Sequence, residues 1–582
     1  MERTWAPTGV DPRPGLGEIP RRWLIFLRSS GGDQSTAKRL NQPDKKFHFP
    51  SHASCPQRCA GNWPHPSDDN AMTRPAHTLF ALAVSSVLAL AMPGRAQGET
   101  GRFESIAKLP FKENRPTDKT ARTLQEELTF QRATQTYLWA LPLLNTMGMR
   151  DGFAQSFGTG YHTMAIWEKR LDAKTRITTP NSDLIYGMVF VNLADTGPLV
   201  FEAPPKLQGI LLDFWQRPIP HDGGKFFGDV GLPGPDGGAG GKFLLLPPGY
   251  SGEVPPGYYV YRSGTNNVFI FLRSFYNDLA NIGPAVDILK QSVLYPLGKK
   301  DSAEKMKFYD ASGKPHEMLP RTDATAFRQL KYLVDTEGRH LAEADWLGML
   351  AGLGIAAGKP FEPDGGTTKI LDAAARTGYN MSRVIGLQNR SGSTDYRVFA
   401  DRQWVNPVNN LSSRWPNAPL DLAFQSNQGG YRDLDARTWF FTDYYSLSPG
   451  MVSMTPGKGA FYMVAFNDSA SRPLAGSHSY RIKLPPGIPA ELFWSVTLYE
   501  SENAAGLDNG QPFPSLGKLN HPKQDGDGST TLYIGPKAPK GAEGNWLATV
   551  PGRGFFAILR LYAPAKAAID GSWKPGDFEK IN

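Results

Sequence analysis

The sequence predicts a mainly β fold with a helical middle, an α+β arrangement of two jelly-roll-like antiparallel β-sandwich domains. The 582 residues include 61 glycines and 49 prolines, which favour many turns and short strands over a helix bundle. Aromatic residues make up 11% of the chain, as expected of a β-rich core or a ligand-lined groove. Short apolar runs bounded by Gly, Pro, Asn or Asp occur on both sides of a region with helical patterns.

Residues 72–96 have the layout of a secretory signal peptide. Met72 begins a short basic segment, an apolar run extends from Leu79 to Met92, and small residues at the end suit cleavage near Ala96. The apolar run is too short to cross a bilayer, and the alternative interpretation is a buried core helix. We therefore predict a periplasmic or secreted protein without a transmembrane segment in the mature chain. Residues 1–71 are then an upstream extension from a wrongly chosen start codon.

Removal of that leader changes the charge and the chemistry available. Residues 1–96 hold 12 Lys or Arg, 7 Asp or Glu and both cysteines, so the net charge falls from +8 to +3. That near-neutral charge, without a run of Lys or Arg, predicts no nucleic-acid partner. A mature chain without cysteine excludes disulfides, zinc–cysteine sites, Fe–S clusters and cysteine nucleophiles.

The rest of the chain divides into four predicted segments. They are an extended arm (97–122), an N-terminal β-rich domain (123–290), a helical middle segment (291–450) and a C-terminal β-sandwich domain (451–582). Helices are predicted over 123–144, with Thr120 as N-cap and Pro142 near its end, and over 274–294, 323–337 and 368–386. The predicted strands are 184–192, 197–202, 209–215, 242–246, 257–262, 267–273, 461–467, 479–484, 493–500, 529–534 and 554–562.

Several strings are more specific than composition. They are QRATQTYLWALPL (131–143), TTPNSDLIYG (178–187), FWSVTLYE (493–500), DGDGSTTLYIGPKAP (525–539), GNWLATVPGRGFFAILRLYAP (544–564) and GSWKPGDFE (571–579). Together they resemble the bacterial two-domain family made of domain of unknown function 1254 in the N-terminal half and 1214 in the C-terminal half. The resemblance implies a jelly-roll-like protein, often exported and oligomeric, and it implies no reaction. We take a homotrimer as the first expectation. Glu500 departs from the family pattern, which more often has Asp there.

Standard catalytic and cofactor motifs are missing from the sequence. It contains no G-x-S-x-G nucleophile elbow, and the glycines at 237–241 lack the spacing of a phosphate-binding loop. The residues predict no cofactor and leave a divalent metal open.

The best candidate site is the Pro-Asn-Ser-Asp turn before a predicted strand. Asp183 can act there as a base or metal ligand, Asn181 as a hydrogen-bond donor to an oxyanion or sugar, and Tyr186 as an acid or stacking ring. The alternative is an Asx-turn that satisfies only its own backbone. His162, after a glycine-containing loop, is the third catalytic candidate.

Further candidate ligand-binding residues lie near strand ends. Asp213 and Trp215 are predicted to share one face of a strand, as in carbohydrate or aromatic-ring sites; the alternative is a capping Asp and a core Trp. A metal site of two histidines and two carboxylates is also possible, with the metal unknown. Its ligands would be His162, Asp183, Asp213 and His221.

Three residues complete the candidate set: Arg273, Trp494 and Arg560. Arg560 alternates with two leucines on a predicted strand, so it faces away from them and needs a partner if buried. A structural salt bridge with Asp527 or Glu500 is the alternative to ligand binding.

Two functions remain open from the sequence. One is a non-catalytic, oligomeric envelope protein that binds a glycan or small ligand. The other is an envelope hydrolase or lyase on a sugar-like or aromatic small molecule, using a His/Asp/Tyr site near the Pro-Asn-Ser-Asp turn. The second requires His162, Asp183, Tyr186 and Asp213 to converge in one cleft.

Overall fold

The structure is a computed structural model that describes residues 98–391, 397–406, 434–445, 448–451 and 455–581. Its helices include α1 (Gly98–Ala107), α2 (Asp118–Trp139), α3 (Leu141–Phe157), α4 (Leu193–Thr196), α5 (Gly283–Lys290), α6 (Thr325–Glu337), α7 (Ala344–Ala351), α8 (Gly365–Ser391), α9 (Leu434–Asp443) and α10 (Lys566–Ile569). Within the described residues, no helix combines the length and apolarity needed to cross a bilayer.

The strands are short. In the first part of the chain they are β1 (Phe111–Lys112), β2 (Arg115–Pro116), β3 (Thr163–Ile166), β4 (Thr175–Arg176), β5 (Ile185–Asn192), β6 (Leu199–Ala203), β7 (Gln208–Asp213), β8 (Asp229–Val230), β9 (Gly241–Leu246), β10 (Tyr259–Arg262), β11 (Asn267–Ser274), β12 (Val293–Pro296), β13 (Lys307–Asp310) and β14 (His316–Glu317). In the last part they are β15 (Ala460–Ala465), β16 (Ser479–Leu484), β17 (Trp494–Glu500), β18 (Ser515–Gly517), β19 (Thr530–Gly535), β20 (Trp546–Ala548), β21 (Phe555–Tyr562) and β22 (Glu579–Ile581).

The strands form two sandwich-like pairs of mostly antiparallel sheets. In the N-terminal half, a six-stranded sheet of order β13-β3-β5-β11-β7-β8 shares a hydrophobic core with a four-stranded sheet of order β10-β9-β6-β12. In the C-terminal half, sheets of order β15-β21-β17-β18 and β20-β19-β16-β22 share a second core. The protein is thus a mixed α+β fold with sandwich-like sheets, as predicted.

Strand alternation explains how the two halves meet. On β5, Gly187, Val189 and Val191 lie on the face of the sheet that covers the N-terminal sandwich core. Tyr186 and Met188 lie on the opposite face. On β21, Leu559 and Leu561 face the C-terminal core, and the alternating residues face the opposite side. These opposite faces, together with α2, α3, α6 and α8, bury one large common core. The strands are apolar on both faces because both faces are covered.

The β strands were predicted well and the middle helices less so. The helical prediction over 274–294 is wrong: only Gly283–Lys290 is helical there, and Val293–Pro296 is a strand. The predicted arm instead contains α1 and the β1–β2 hairpin. The helix predicted over 123–144 begins earlier, at Thr117 as N-cap. The predicted leader over 72–96 and the upstream extension lie outside the described residues.

Proline explains the break near position 140. α2 ends at Trp139, and α3 begins at Leu141 with Pro142 in its first turn. A proline lacks an N–H and is tolerated in the first turn, where that group has no helical partner. Pro142 therefore starts the second helix instead of ending the first one.

Candidate functional site

The Pro-Asn-Ser-Asp turn lies where the two halves of the protein meet. The N–H of Thr179 donates to the carbonyl of Ala504 (2.6 Å), and the Tyr499 hydroxyl donates to the carbonyl of Pro180 (2.7 Å). Thr179 has a φ of 41°, a left-handed conformation that is strained for a β-branched residue. The turn before β5 is therefore fixed to the C-terminal half by its backbone.

The side chain of Asn181 completes this connection. Its carbonyl oxygen accepts from the N–H of Asp183 (2.9 Å), which is the Asx-turn of the alternative interpretation. Its amide donates to the hydroxyl of Tyr562 on β21. Asn181 is 5% exposed, so both ends of the amide find partners in the interior. The turn has a structural role within the chain and a second one between the halves.

Asp183 is held by polar partners on both sides. The Ser515 hydroxyl on β18 lies 3.1 and 3.2 Å from its two carboxylate oxygens, and a guanidinium nitrogen of Arg170 lies 3.6 Å away. Arg170 also donates to the carbonyl of Ser182 (2.6 Å) and stacks 3.9 Å from the ring centre of Phe513. Both charged side chains are less than a tenth exposed. The ion pair lies within the N-terminal half, and its contacts with Ser515 and Phe513 connect it to the C-terminal half.

Next to the turn, aromatic and cationic side chains from both halves form one buried group. We call it the junction cluster, and it consists of Tyr186 (β5), Arg273 (β11), Tyr445, Tyr462 (β15), Tyr499 (β17), Arg560 and Tyr562 (β21). Tyr186 and Arg273 are directly paired residues of neighbouring antiparallel strands. Burial raises the pKa of Tyr186 and of Tyr445, and the charges of Arg273 and Arg560 act in the opposite direction on both, which places the two cations around the same phenols.

Arg560 is the central residue of the junction cluster. It is 4% exposed, and one guanidinium nitrogen donates to the hydroxyl of Thr497 (3.2 Å). The guanidinium carbon lies 5.8 Å from the ring centre of Tyr462 and 5.6 Å from that of Tyr499. Burial works against its charge, but a guanidinium keeps its proton because its ordinary pKa is far above neutral. The site therefore contains a full positive charge in a poorly hydrated place.

The predicted salt bridge of Arg560 with Asp527 or Glu500 is wrong. Glu500 binds Arg553 (2.8 Å), and Asp527 binds Lys483 (2.7 Å) at the surface. Among the described residues, no carboxylate forms an ion pair with Arg560. The reason is strand alternation, since Glu500 lies on the same strand as Tyr499 and points to the other face.

Arg273 supplies a second cation from the N-terminal half. Its Nε is buried and has no hydrogen-bond partner among the described residues, and its guanidinium carbon lies 5.8 Å from the ring centre of Phe271. Phe271 in turn stacks on Tyr186, with centroids 5.0 Å apart and planes at 5°. The free donor of Arg273 is therefore on the same face of the sheet as Tyr186.

Four phenols of the cluster have raised pKa values, and two hydroxyl groups of the cluster have no described hydrogen-bond partner. Burial raises the pKa of Tyr186, Tyr445, Tyr499 and Tyr562, and the arginines offset only part of that shift. The hydroxyls of Tyr445 and Tyr462 form no hydrogen bond within the part of the chain that the structure describes. Neutral phenols donate hydrogen bonds and do not act as bases, so the cluster is equipped to bind an anion.

Asp229 lies beside the cluster and is an acidic residue, whereas the charged residues of the cluster are arginines. With Arg273 and Lys458 it lines a small space of about 60 Å³. One carboxylate oxygen accepts from the N–H of Gly450 (3.0 Å). Burial raises the pKa of Asp229 to about 7, although that hydrogen bond and the charge of Arg273 act in the opposite direction. A carboxyl group with such a pKa exchanges protons near neutral pH.

His162 does not belong to the junction. It precedes β3, in which Ala165 pairs with Met188, so His162 lies toward the Asn192 end of β5 and Tyr186 lies at the other end. Five strand positions correspond to about 17 Å. Its Nε2 lies 3.3 Å from Glu304, and its Nδ1 is buried without a described partner.

Asp213 and Trp215 lie at that same distant end and have structural partners. The strand ends at Asp213. Trp215 lies beyond it, so the two residues do not share a strand face as predicted. Asp213 accepts from the backbone N–H (2.9 Å) and the guanidinium (2.6 Å) of Arg217, closing the turn. The Trp215 indole donates to the carbonyl of Leu341 (2.7 Å) and packs on Trp139.

The remaining candidates are separate from the cluster as well. Trp494 is buried in the C-terminal sandwich core, on the face of β17 opposite Tyr499. His221 packs among Tyr259, Tyr261 and Phe226. In the described ranges, no group of three or more His, Cys, Asp or Glu side chains is arranged to hold a metal ion. The predicted His162, Asp183, Asp213 and His221 cluster is therefore not assembled.

Sequence reasoning missed several residues that the structure brings together. Tyr445 lies after α9, and Tyr462 lies on β15, far in sequence from the Pro-Asn-Ser-Asp turn. The available signal was the alternation of polar and apolar residues on β17 and β21, which places Thr497, Tyr499, Arg560 and Tyr562 on one surface. No local pattern identifies the partner strand of the other half.

Each half of the chain matches its own protein-family model. Residues 161–296 match the family model described as protein of unknown function DUF1254, and residues 459–566 match that of DUF1214. No curated protein matches the chain.

Two solved structures are similar along most of the chain. The crystal structure of the VPA0106 protein from Vibrio parahaemolyticus has 18% identity and a TM-score of 0.44, and the match covers 79% of this chain and all of that one. A crystal structure of an uncharacterized protein from Burkholderia cenocepacia has 12% identity and a TM-score of 0.35, with 78% of this chain and 94% of that one covered. The chain thus carries a DUF1254 domain followed by a DUF1214 domain, the two-domain family that its sequence motifs resemble.

Proposed function

We propose that this protein binds a small organic anion at the junction cluster and acts as a binding protein. One observation carries the proposal: Arg560 is a buried cation that has no carboxylate partner among the described residues. Burying a charge costs free energy unless it is paired, so an anion bound beside Arg560 would gain a strong partner there. Arg273, whose buried Nε has no hydrogen-bond partner among the described residues, adds a second donor for the same ligand.

A carboxylate matches the cluster best. A guanidinium binds a carboxylate through two parallel hydrogen bonds, and neutral phenols can donate to the same oxygens. The stacked rings of Tyr186 and Phe271 place aromatic groups next to the charge. The cluster residues other than Arg273 are at most 9% exposed, which favours a small ligand over an extended glycan chain. We therefore propose an aromatic carboxylate.

Export and assembly are part of the same proposal. The leader-like segment over 72–96 supports a periplasmic or secreted binder, and the family resemblance supports a homo-oligomer. If translation starts at Met72, N-terminal sequencing of the exported protein should give Gln97 as the first residue. Light scattering at micromolar concentration should give a mass above that of one chain, and a stable monomer would contradict the oligomer.

A catalytic alternative, the hydrolase or lyase, rests on Asp229. Its pKa of about 7 suits a general acid or base, and Arg273 borders the same small space. If this alternative holds, Asp229→Asn should abolish turnover of a bound ester or hydroxy acid while its affinity remains. If the protein is only a binder, Asp229→Asn should change the affinity by less than about threefold and no product should form in either protein.

The binding proposal can be tested with a matched pair of probes. Benzoate and benzamide have nearly the same shape, but only benzoate carries a charge. Isothermal titration calorimetry of the whole protein should detect benzoate and not benzamide. Arg560→Met removes the charge while keeping an apolar stem, and we expect at least a 30-fold loss of benzoate affinity, since charge-assisted hydrogen bonds contribute about 2–3 kcal/mol.

The control is an exposed arginine of the same domain. Arg481 on β16 pairs with Glu579, and both side chains are more than half exposed. Arg481→Met should leave benzoate binding unchanged. Equal binding of benzoate and benzamide, or equal losses in Arg560→Met and Arg481→Met, would contradict an anion site at the junction.

A further inference from the structure

A second cavity lies at the opposite end of the six-stranded sheet. It has a volume of about 370 Å³ and is bordered by the loop over 158–161, α3 and the ends of β5 and β11. Gly158 and Gly160 have φ values of 86° and 117°, which other residues rarely adopt. A Cβ on Gly160 would lie 2.9 Å from the His162 ring, so the loop closes tightly over that histidine. We call this space the loop cavity.

Aromatic rings form the inner wall of the loop cavity. Phe153, Phe190 and Phe214 line it and are at most 8% exposed. Phe190 meets Phe153 at 5.3 Å with planes at 65°, and it meets Phe214 at 6.3 Å with planes at 86°. Edge-to-face contacts of this kind are the geometry that a further aromatic ring also adopts. The wall therefore suits a flat apolar ring.

The buried polar groups beside the aromatic wall are paired with one another, and the Asp195 carboxylate lies exposed at the rim. The Arg150 guanidinium donates to Asp151 (3.0 Å) and to the Tyr332 hydroxyl (3.0 Å), and it lies 4.3 Å from the Tyr332 ring centre. That hydroxyl donates to the side-chain Oδ1 of Asn267 (3.1 Å), and the side-chain Nδ2 of Asn267 donates to Glu337 (2.5 Å). A ligand thus finds no buried unpaired charge on this wall, in contrast to the junction cluster.

From these contacts we propose that the loop cavity is a second binding site, for a neutral aromatic small molecule. The volume lies within the range of small-molecule sites, about 300–1,000 Å³, and exceeds that of cavities that hold benzene, about 150 Å³. A phenol of one ring fits the chemistry: the ring packs on the phenylalanines, and its hydroxyl reaches the polar rim. A carboxylate on the same ring would lose its hydration without gaining a free cation.

The site is independent of the junction, so its test uses a different probe. p-Cresol is a neutral single-ring phenol, and 4-methylbenzoate is its anionic counterpart. Ala154 lines the loop cavity from α3, whereas its neighbour Gln155 is exposed and does not. Ala154→Leu fills the space, and Gln155→Leu makes a comparable change at the surface of the same helix.

We expect titration calorimetry to show p-cresol binding to the wild type. Ala154→Leu should weaken it at least tenfold, while Gln155→Leu and Arg560→Met should change it by less than twofold. In Arg560→Met, 4-methylbenzoate should not bind, because the loop cavity does not accept the anion. Failure of p-cresol binding in Arg560→Met would assign the phenol to the junction and overturn the second site.

A variant at the rim covers the case in which Ala154→Leu does not fold. Thr159 is exposed and lies on the loop, so Thr159→Trp obstructs entry without changing the core. Melting curves should confirm that it folds, and it should also weaken p-cresol at least tenfold. No p-cresol binding to the wild type, or unchanged binding in whichever of Ala154→Leu and Thr159→Trp folds, would overturn the proposal.

Discussion

The junction cluster and the loop cavity lie on the same two strands and have opposite electrostatic character. Tyr186 pairs with Arg273 at one end of β5 and β11, and Asn192 pairs with Asn267 at the other, about 20 Å away. At the first end neither Arg560 nor Arg273 forms a direct ion pair with a described carboxylate, although Asp229 lies near Arg273. At the second end Arg150, Tyr332, Asn267 and Glu337 are hydrogen-bonded in a chain. A buried charge without a partner indicates a charged ligand, whereas a satisfied polar wall indicates a neutral one.

The largest expected effect concerns the connection between the halves. In Asp183→Ala, Arg170 becomes a buried cation without its carboxylate, so we expect a loss of about 3–5 kcal/mol in the free energy of unfolding, measured with denaturant. Asp527→Ala removes an exposed partner of Lys483 and should leave stability unchanged. If both variants unfold alike, the Asp183–Arg170 pair does not stabilise the turn that contacts the C-terminal half.

The next effect depends on pH. The folded-state pKa of Asp229, about 7, is raised by burial above its unfolded value, about 3.9. Its contribution to stability is therefore fully present below pH 4 and is lost as the pH rises through 7. Relative to Asp229→Asn, the free energy of unfolding of the wild type should fall by about 2–3 kcal/mol between pH 5 and pH 7. A difference between the two proteins that does not change with pH would contradict a raised pKa.

A smaller effect is expected from the bond between Asn181 and Tyr562. Tyr562→Phe leaves the buried Asn181 amide without its acceptor, which should cost about 1–2 kcal/mol of unfolding free energy. Tyr533→Phe on β19 is the matched change, since Tyr533 is only partly buried and donates no hydrogen bond to a described residue. Equal stability of these two variants would show that the turn is held by its backbone contacts alone.

The smallest effect distinguishes the loop cavity from the junction. Tyr332→Phe removes the hydroxyl between Arg150 and Asn267, and we expect the free energy of unfolding to fall by about 1 kcal/mol. Because that hydroxyl is already engaged, p-cresol affinity should change by less than threefold. A tenfold loss of affinity in the folded variant would mean that Tyr332 contacts the ligand and that the wall is not self-satisfied.

The β strands were predictable from sequence because their signal is local. Alternation and bounding glycines or prolines located β5, β11, β17 and β21 within one or two residues. The same alternation correctly predicted that Arg560 faces away from Leu559 and Leu561. It also predicted the Asx-turn at Asn181 as one of two interpretations.

The site itself depends on contacts that the sequence does not encode locally. Tyr186 and Arg560 are separated by more than half of the chain, and they share a site only because two sheets face the same core. His162 and Asp213 are close in sequence to the turn but lie at the other end of the sheet. For the same reason the expected salt bridge of Arg560 was wrong, since strand direction and face decide its neighbours.

The most direct test of the central claim is a crystal structure of the protein with benzoate. We expect one benzoate in the junction cluster, with its carboxylate oxygens about 2.7–2.9 Å from guanidinium nitrogens of Arg560 and its ring next to Tyr186 or Tyr462. A structure in which a carboxylate of the protein itself pairs with Arg560, or in which benzoate binds elsewhere and leaves this guanidinium untouched, would contradict it.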